Sequence, residues 1–250
     1  MKNGIISGFR QAAGLWIVTV PVLTAVLIMM NFIDPLIRAY QENAFIIKGF
    51  HNELLLEGFH SDALSSFLPI LAALPFAGSF VDDVKSKFAR FFVIRSSYRT
   101  YLASRVVVAF WVGGLMILSG ALIAWGITAA VLIPLEHEVE GLEPATMDIL
   151  VEVCFLLFLT GGFWSVVGMA MSTLMESKYI SYASSFVLYY LLVILYERYF
   201  TELYVIYPRS WIDPTAWPYG CWGAAIFLIE MTFIFSLLFA FRGMRRLKEL

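Results

Sequence analysis

The sequence predicts an all-α membrane protein of six transmembrane helices, and three observations carry that expectation. Hydrophobic residues make up 60% of the 250 and aromatic residues 16%, while only 14% are charged, against roughly a quarter in soluble domains. Six apolar runs have the length that a bilayer requires, about 20 residues each. The cations collect on one side of those runs, as the positive-inside rule describes. Nothing in the composition points to nucleic acid, and a net charge of -2 says less than how the charge is distributed.

The spans are expected at 13–35, 63–81, 104–133, 147–174, 180–200 and 219–241. The first, LWIVTVPVLTAVLIMMNFI, exceeds a signal-peptide core and lacks a small-residue cleavage site after it, so it reads as a retained helix. The second, ALSSFLPILAALPFAGSFV, is short and carries Pro69 and Pro75, which predict a kink. Spans three and four bear small-residue faces, with Gly113, Gly120 and Gly126 in one and Gly161, Gly162, Gly168 and Ser172 in the other. In lipid such faces let two backbones approach closely. The loop before the sixth span, RYFTELYVIYPRSWIDPTAWPYGCW, reads as a re-entrant or interface-lying segment.

Charge sets the expected direction. With both termini in the cytoplasm, the inner side holds Lys2, Arg10, the six cations of the 82–105 stretch, Lys178, Arg242, Arg245, Arg246 and Lys248. The outer side keeps only Arg38, Lys48, Arg198 and Arg209, while Glu136, Glu138, Glu140 and Glu143 crowd one outer loop. The expected topology is therefore N-in, C-in.

The stretch DDVKSKFARFFVIRSSYRTYLASR, 82–105, is the main cytoplasmic loop of that scheme. Val84, Phe88, Phe91 and Phe92 recur at i, i+4, i+7 and i+8, which is one face of a helix. Lys85, Lys87 and Arg90 flank that face, and Asp82 and Asp83 complement the dipole in its first turn. A short amphipathic helix over 82–94 is expected, broken off at Arg95, with Ser96–Ser97 capping the next helix. Such a helix can lie on anionic lipid or dock a soluble partner.

No catalytic, cofactor-binding or metal-binding residue is expected. The chain has no Walker motif, HExxH, GxSxG or CxxC. His51 and His60 stand near Glu53 and Glu57 without ligand-like spacing. Cys154 and Cys221 read as free thiols. The one deep carboxylate is Glu230, in the middle of the sixth span, where an ionised group faces protein or water and becomes a candidate for a pathway or a subunit seam. Glu152, near the outer end of span four, reads as structural.

Residues 69–105, PILAALPFAGSFVDDVKSKFARFFVIRSSYRTYLASR, resemble the region between spans two and three of ABC-2 type permeases, the six-span subunits of bacterial exporters. A Pro-containing helix runs into an acidic pair, a basic-aromatic helix and an Arg–Ser turn, with Asp82, Asp83, Lys85, Ser86, Phe88, Arg90, Arg95, Tyr98 and Tyr101 in matching places. The resemblance implies a coupling helix that seats in a separate cytoplasmic ABC ATPase, through Asp82, Asp83, Lys87, Phe88, Arg90, Phe91 and Arg95. It implies that ATP and magnesium belong to that partner, that a second permease completes the pathway, and that the chain is a multi-pass protein of the cell membrane in contact with its lipid. The expected cargo is an amphipathic or hydrophobic molecule: a peptide, a lipid or a drug. The alternative class is a secondary transporter or channel. A single deep carboxylate and the lack of an inverted repeat stand against it.

Overall fold

The computed structural model describes residues 2–12, 14, 16–41, 48–95, 97–137, 147–174 and 177–248, and these are helical almost throughout. Eleven α-helices are formed among the described residues: α1 (Lys2–Ala12), α2 (Trp16–Met29), α3 (Ile33–Gln41), α4 (Phe50–Phe59), α5 (Asp62–Ala73), α6 (Ser79–Lys85), α7 (Phe88–Arg95), α8 (Tyr98–Leu132), α9 (Met147–Ser172), α10 (Lys178–Arg198) and α11 (Gly220–Lys248). Among the described residues five stretches are long and apolar enough to cross a bilayer: Trp16–Ile37, Tyr98–Leu135, Met147–Ser172, Lys178–Arg198 and Gly220–Lys248. The expected second span is shorter than predicted. α5 has 12 residues, about 18 Å at 1.5 Å per residue, less than the ~30 Å of a hydrocarbon core. Leu74 still has helical backbone angles and donates to the Ile70 carbonyl, but Pro75 has no N–H to give the Leu71 carbonyl, and the regular ladder ends there. The chain then turns through 74–78 into α6.

α9 is the buried centre, and α8 is its main neighbour. A Cβ built on Gly113 would collide with Ser165 Cβ and stand 2.7 Å from the Gly161 carbonyl, and one on Gly161 would stand 2.9 Å from the Gly113 carbonyl. The two expected small-residue faces thus meet at Gly113 and Gly161. Gly120 lets α2 close on α8, with Thr24 Cβ 2.5 Å from where its own Cβ would lie, and Gly168 admits α10 through the Ser181 carbonyl. Gly126 faces open space. The outer surface of the spans is apolar, with Val18, Leu122, Val131, Val151, Val187 and Phe233 exposed, as a chain whose solvent is lipid requires.

The two ends of the bundle differ. One gathers α1, α6, α7, the start of α8 and the end of α11, joined where Gly4 meets Phe92 and Ser104 and where Gly243 meets Leu102. The cations of the N-terminus, the 82–105 stretch and the C-terminus share this end. At the other end the stretch between the first two expected spans, 36–62, contains α4, which is packed into the core: Leu54, Leu55 and Phe59 are buried, and Gly58 lies against the Ile28 carbonyl. The segment after α10 folds into three 3-10 turns, Tyr204–Ile206, Pro208–Trp211 and Pro214–Ala216. Trp211 Nε1–H donates to the Val205 carbonyl at 2.9 Å and Trp217 Nε1–H to the Ser210 carbonyl at 2.8 Å, so both indoles enter the interior with their donors satisfied. Glu138, Glu140 and Glu143 lie outside the described residues.

Candidate functional site

The 82–105 stretch does not form one continuous amphipathic helix over 82–94. It forms α6 and α7, separated at Ser86–Lys87, where Lys87 adopts φ 59°. The break has a tertiary cause, because each half is held to α8 by a different contact.

The first contact is a buried charged cluster. Asp83 is 3% exposed and forms an ion pair with Arg105, which is 2% exposed. Tyr101 Oη–H donates to Asp83 Oδ2 at 2.6 Å, Gln11 Nε2–H to Asp83 Oδ1 at 3.4 Å, and an Arg105 Nη1–H to Gln11 Oε1 at 2.8 Å. The guanidinium also stands over the rings of Phe76 and Tyr101, at 5.4 and 5.3 Å. The cluster joins α1, α6 and α8, and removing one member of such a pair commonly costs about 3–5 kcal/mol. Asp82, one residue earlier, turns outward to Lys178 at 3.6 Å, and both side chains are about half exposed.

The second contact holds α7. Phe92 packs its ring on Tyr101 at 5.3 Å, and Ala89 is fully buried. The opposite side of this short helix therefore faces out, with Phe88 42%, Phe91 67% and Ile94 77% exposed. Lys85 and Lys87 are exposed beside it, and the side chains of Arg90 and Arg95 lie outside the described residues. Ile94 was missed by the sequence reading, though its spacing of three from Phe91 was available. Ser97 caps α8 by accepting the Thr100 N–H at 3.2 Å, as expected.

Among the predicted residues, then, Asp82, Lys87, Phe88 and Phe91 lie on the surface and Asp83 lies inside. Arg105 and Gln11, which hold Asp83, were not singled out. The i+4 step from Tyr101 to Arg105 was the legible half of that signal.

Glu230 lies apart from this group. It is exposed on α11, on a face shared with Ile226, Ile229, Phe233, Ile234 and Leu237. A carboxyl at the middle of a span costs a few kcal/mol or more in hydrocarbon, so that face is incomplete in a single chain surrounded by lipid. Cys154 and Cys221 are free thiols, and no group of His, Cys, Asp and Glu suited to a metal ion occurs among the described residues. His51 instead pairs with Glu136, Nδ1 to Oε1 at 2.7 Å.

No protein-family model, curated protein or solved structure matches the chain.

Proposed function

We propose that the chain is the membrane-spanning permease subunit of an ATP-driven exporter, and that a separate cytoplasmic ABC ATPase docks on α7. The observation that carries this reading is the outward apolar stripe of Phe88, Phe91 and Ile94 on a helix that buried contacts hold in place. Aromatic anchors suit a hydrophobic groove, and the rim lysines orient a partner. Asp83 acts as a positioning residue: through Arg105, Tyr101 and Gln11 it ties α6 to α8, so force applied at α7 reaches a helix that runs the depth of the bundle. α5, α6 and the turn between them complete a sixth crossing, with both termini cytoplasmic. The exposed carboxyl of Glu230 belongs to a seam with a second permease or to the pathway between two. The cargo is an amphipathic or hydrophobic molecule.

Co-purification tests the docking. Truncating a buried interface anchor commonly costs about 2 kcal/mol or more, and a rim charge far less. A Phe88→Ala, Phe91→Ala double variant is expected to release the ATPase or uncouple hydrolysis from transport, whereas Lys87→Ala leaves both intact. A competing reading comes from α1, which exposes Ile6 and Phe9 at the same end. If the double variant keeps its ATPase and loses only affinity for anionic vesicles, α7 is an interfacial anchor and the exporter reading falls.

A further inference from the structure

The opposite end of the bundle carries a cavity that the docking reading leaves unused. It has a volume of about 280 Å3 and lies between the α4–α5 junction, the last turn of α10 and the 3-10 turns, with Phe59, Tyr196, Tyr204, Tyr207 and Arg209 in its wall. One side of its wall can receive an anion. Arg209 supplies a fixed positive charge and the three tyrosines supply hydroxyl donors. Asp213 also lines it and keeps its charge, its Oδ1 accepting the Thr215 N–H at 2.9 Å and the Thr215 hydroxyl at 2.6 Å, so an anion has to seat on the Arg209 side of the wall.

Arg209 is held ready for a ligand. Its guanidinium stands over the Tyr207 ring at 5.9 Å, and Tyr207 is stacked on Tyr196 at 4.3 Å. Its Nε is buried without a hydrogen-bond partner. The partner it does have, Asp62, is 80% exposed and so is an easily exchanged counter-ion. Around the same end, Tyr199, Phe200, Tyr219 and Trp222 are exposed, the aromatic girdle of a membrane–water boundary. A mouth beside such a girdle would open at the depth of lipid headgroups.

We infer that this cavity binds the phosphate of a membrane phospholipid headgroup, with Arg209 as its cationic ligand and Tyr204 and Tyr207 as neutral donors. A guanidinium fork matches a phosphate in two parallel hydrogen bonds, and Asp62 gives up the fork when the phosphate enters. A soluble phosphate shares the same chemistry, and the test separates the two sources. Nothing in this inference depends on an ATPase.

The delipidated chain in detergent would be titrated with dihexanoyl phosphatidylglycerol, dihexanoyl glycerol and inorganic phosphate, with bound species counted by native mass spectrometry. One phosphatidylglycerol per chain and no bound dihexanoyl glycerol is expected. Arg209→Gln should weaken binding about tenfold, the scale of one charge-assisted hydrogen bond. Asp62→Asn, at an exposed position that folding tolerates, should tighten binding because it frees the fork. Inorganic phosphate that displaces the lipid at equal concentration would keep the oxyanion site and make its ligand a soluble phosphate. Binding unaffected by Arg209→Gln, weakened by Asp62→Asn, or absent for both phosphates would overturn the proposal.

Discussion

Asp82 and Asp83 are adjacent and chemically identical, yet they do different work. A helix turns about 100° between neighbours, so only one of the two can face α8, and the one that does meets Arg105 and Tyr101. Asp83→Ala should therefore lower unfolding stability in detergent by about 3–5 kcal/mol, because it leaves a buried guanidinium unpaired. Asp82→Ala should cost no more than about 1 kcal/mol, the worth of an exposed pair. Thermal or denaturant unfolding of both variants checks the contrast, and equal losses would refute it. Glu136 offers a second case at this scale. Burial would raise its pKa, but the N–H groups of Gly49 at 3.0 Å and His51 at 2.9 Å, together with the His51 ring, hold it below the ordinary value. A depressed folded value means that the tether is complete at neutral pH and is lost as pH falls through that value. Amide exchange in α4 is expected to accelerate once pH drops below the ordinary glutamate range, about 4.3. In Glu136→Gln that pH step should disappear.

Helix pairing in this chain depends on where a side chain is missing. Between α8 and α9 the glycines meet backbone to backbone, so nothing flexible can yield to an added methyl. Gly113→Val is expected to be destabilising by about 2 kcal/mol or more, in the range of overpacked cores, whereas Gly126→Ala has open space and a better helix propensity. Detergent-solubilised yield and melting temperature would distinguish the two, and a well-folded Gly113→Val protein would mean that α8 and α9 can separate without penalty. The same reasoning explains α6 and α7. Two short helices with separate anchors cannot share one axis, and the mismatch falls on Lys87, whose positive φ is uncommon for a side chain with a Cβ. Periodicity alone could not report that break, since the apolar spacing continues through it.

Among the described residues most cations lie at one end, on elements far apart in sequence, and the exposed aromatic residues of the 199–222 segment, with Arg209, mark the other. That polarity implies an orientation. In a background lacking Cys154 and Cys221, both free thiols, Thr215→Cys should react with a membrane-impermeant maleimide applied outside the cell. Arg90→Cys should react only after permeabilisation. The reverse pattern would invert the topology and move α7 out of reach of any cytoplasmic partner.

Apolar run length was enough to place five long helices, because a segment of that hydropathy has no stable alternative to spanning lipid. The Ser97 cap and the glycine faces were equally local, and each follows from the chemistry of one residue and its near neighbours. The rest depended on partners brought from a distance. Asp83 turns inward because a hydroxyl eighteen residues later and an amide 72 residues earlier converge on it. α4 is buried because Gly58 can reach the Ile28 carbonyl. The 3-10 turns are drawn in because Trp211 finds Trp164 and Phe163 inside, at 5.7 and 5.4 Å. Hydrophobicity is a sum over a segment and can be read from the chain alone, but a buried charge is tolerated only where specific partners meet it, and that meeting exists only in three dimensions.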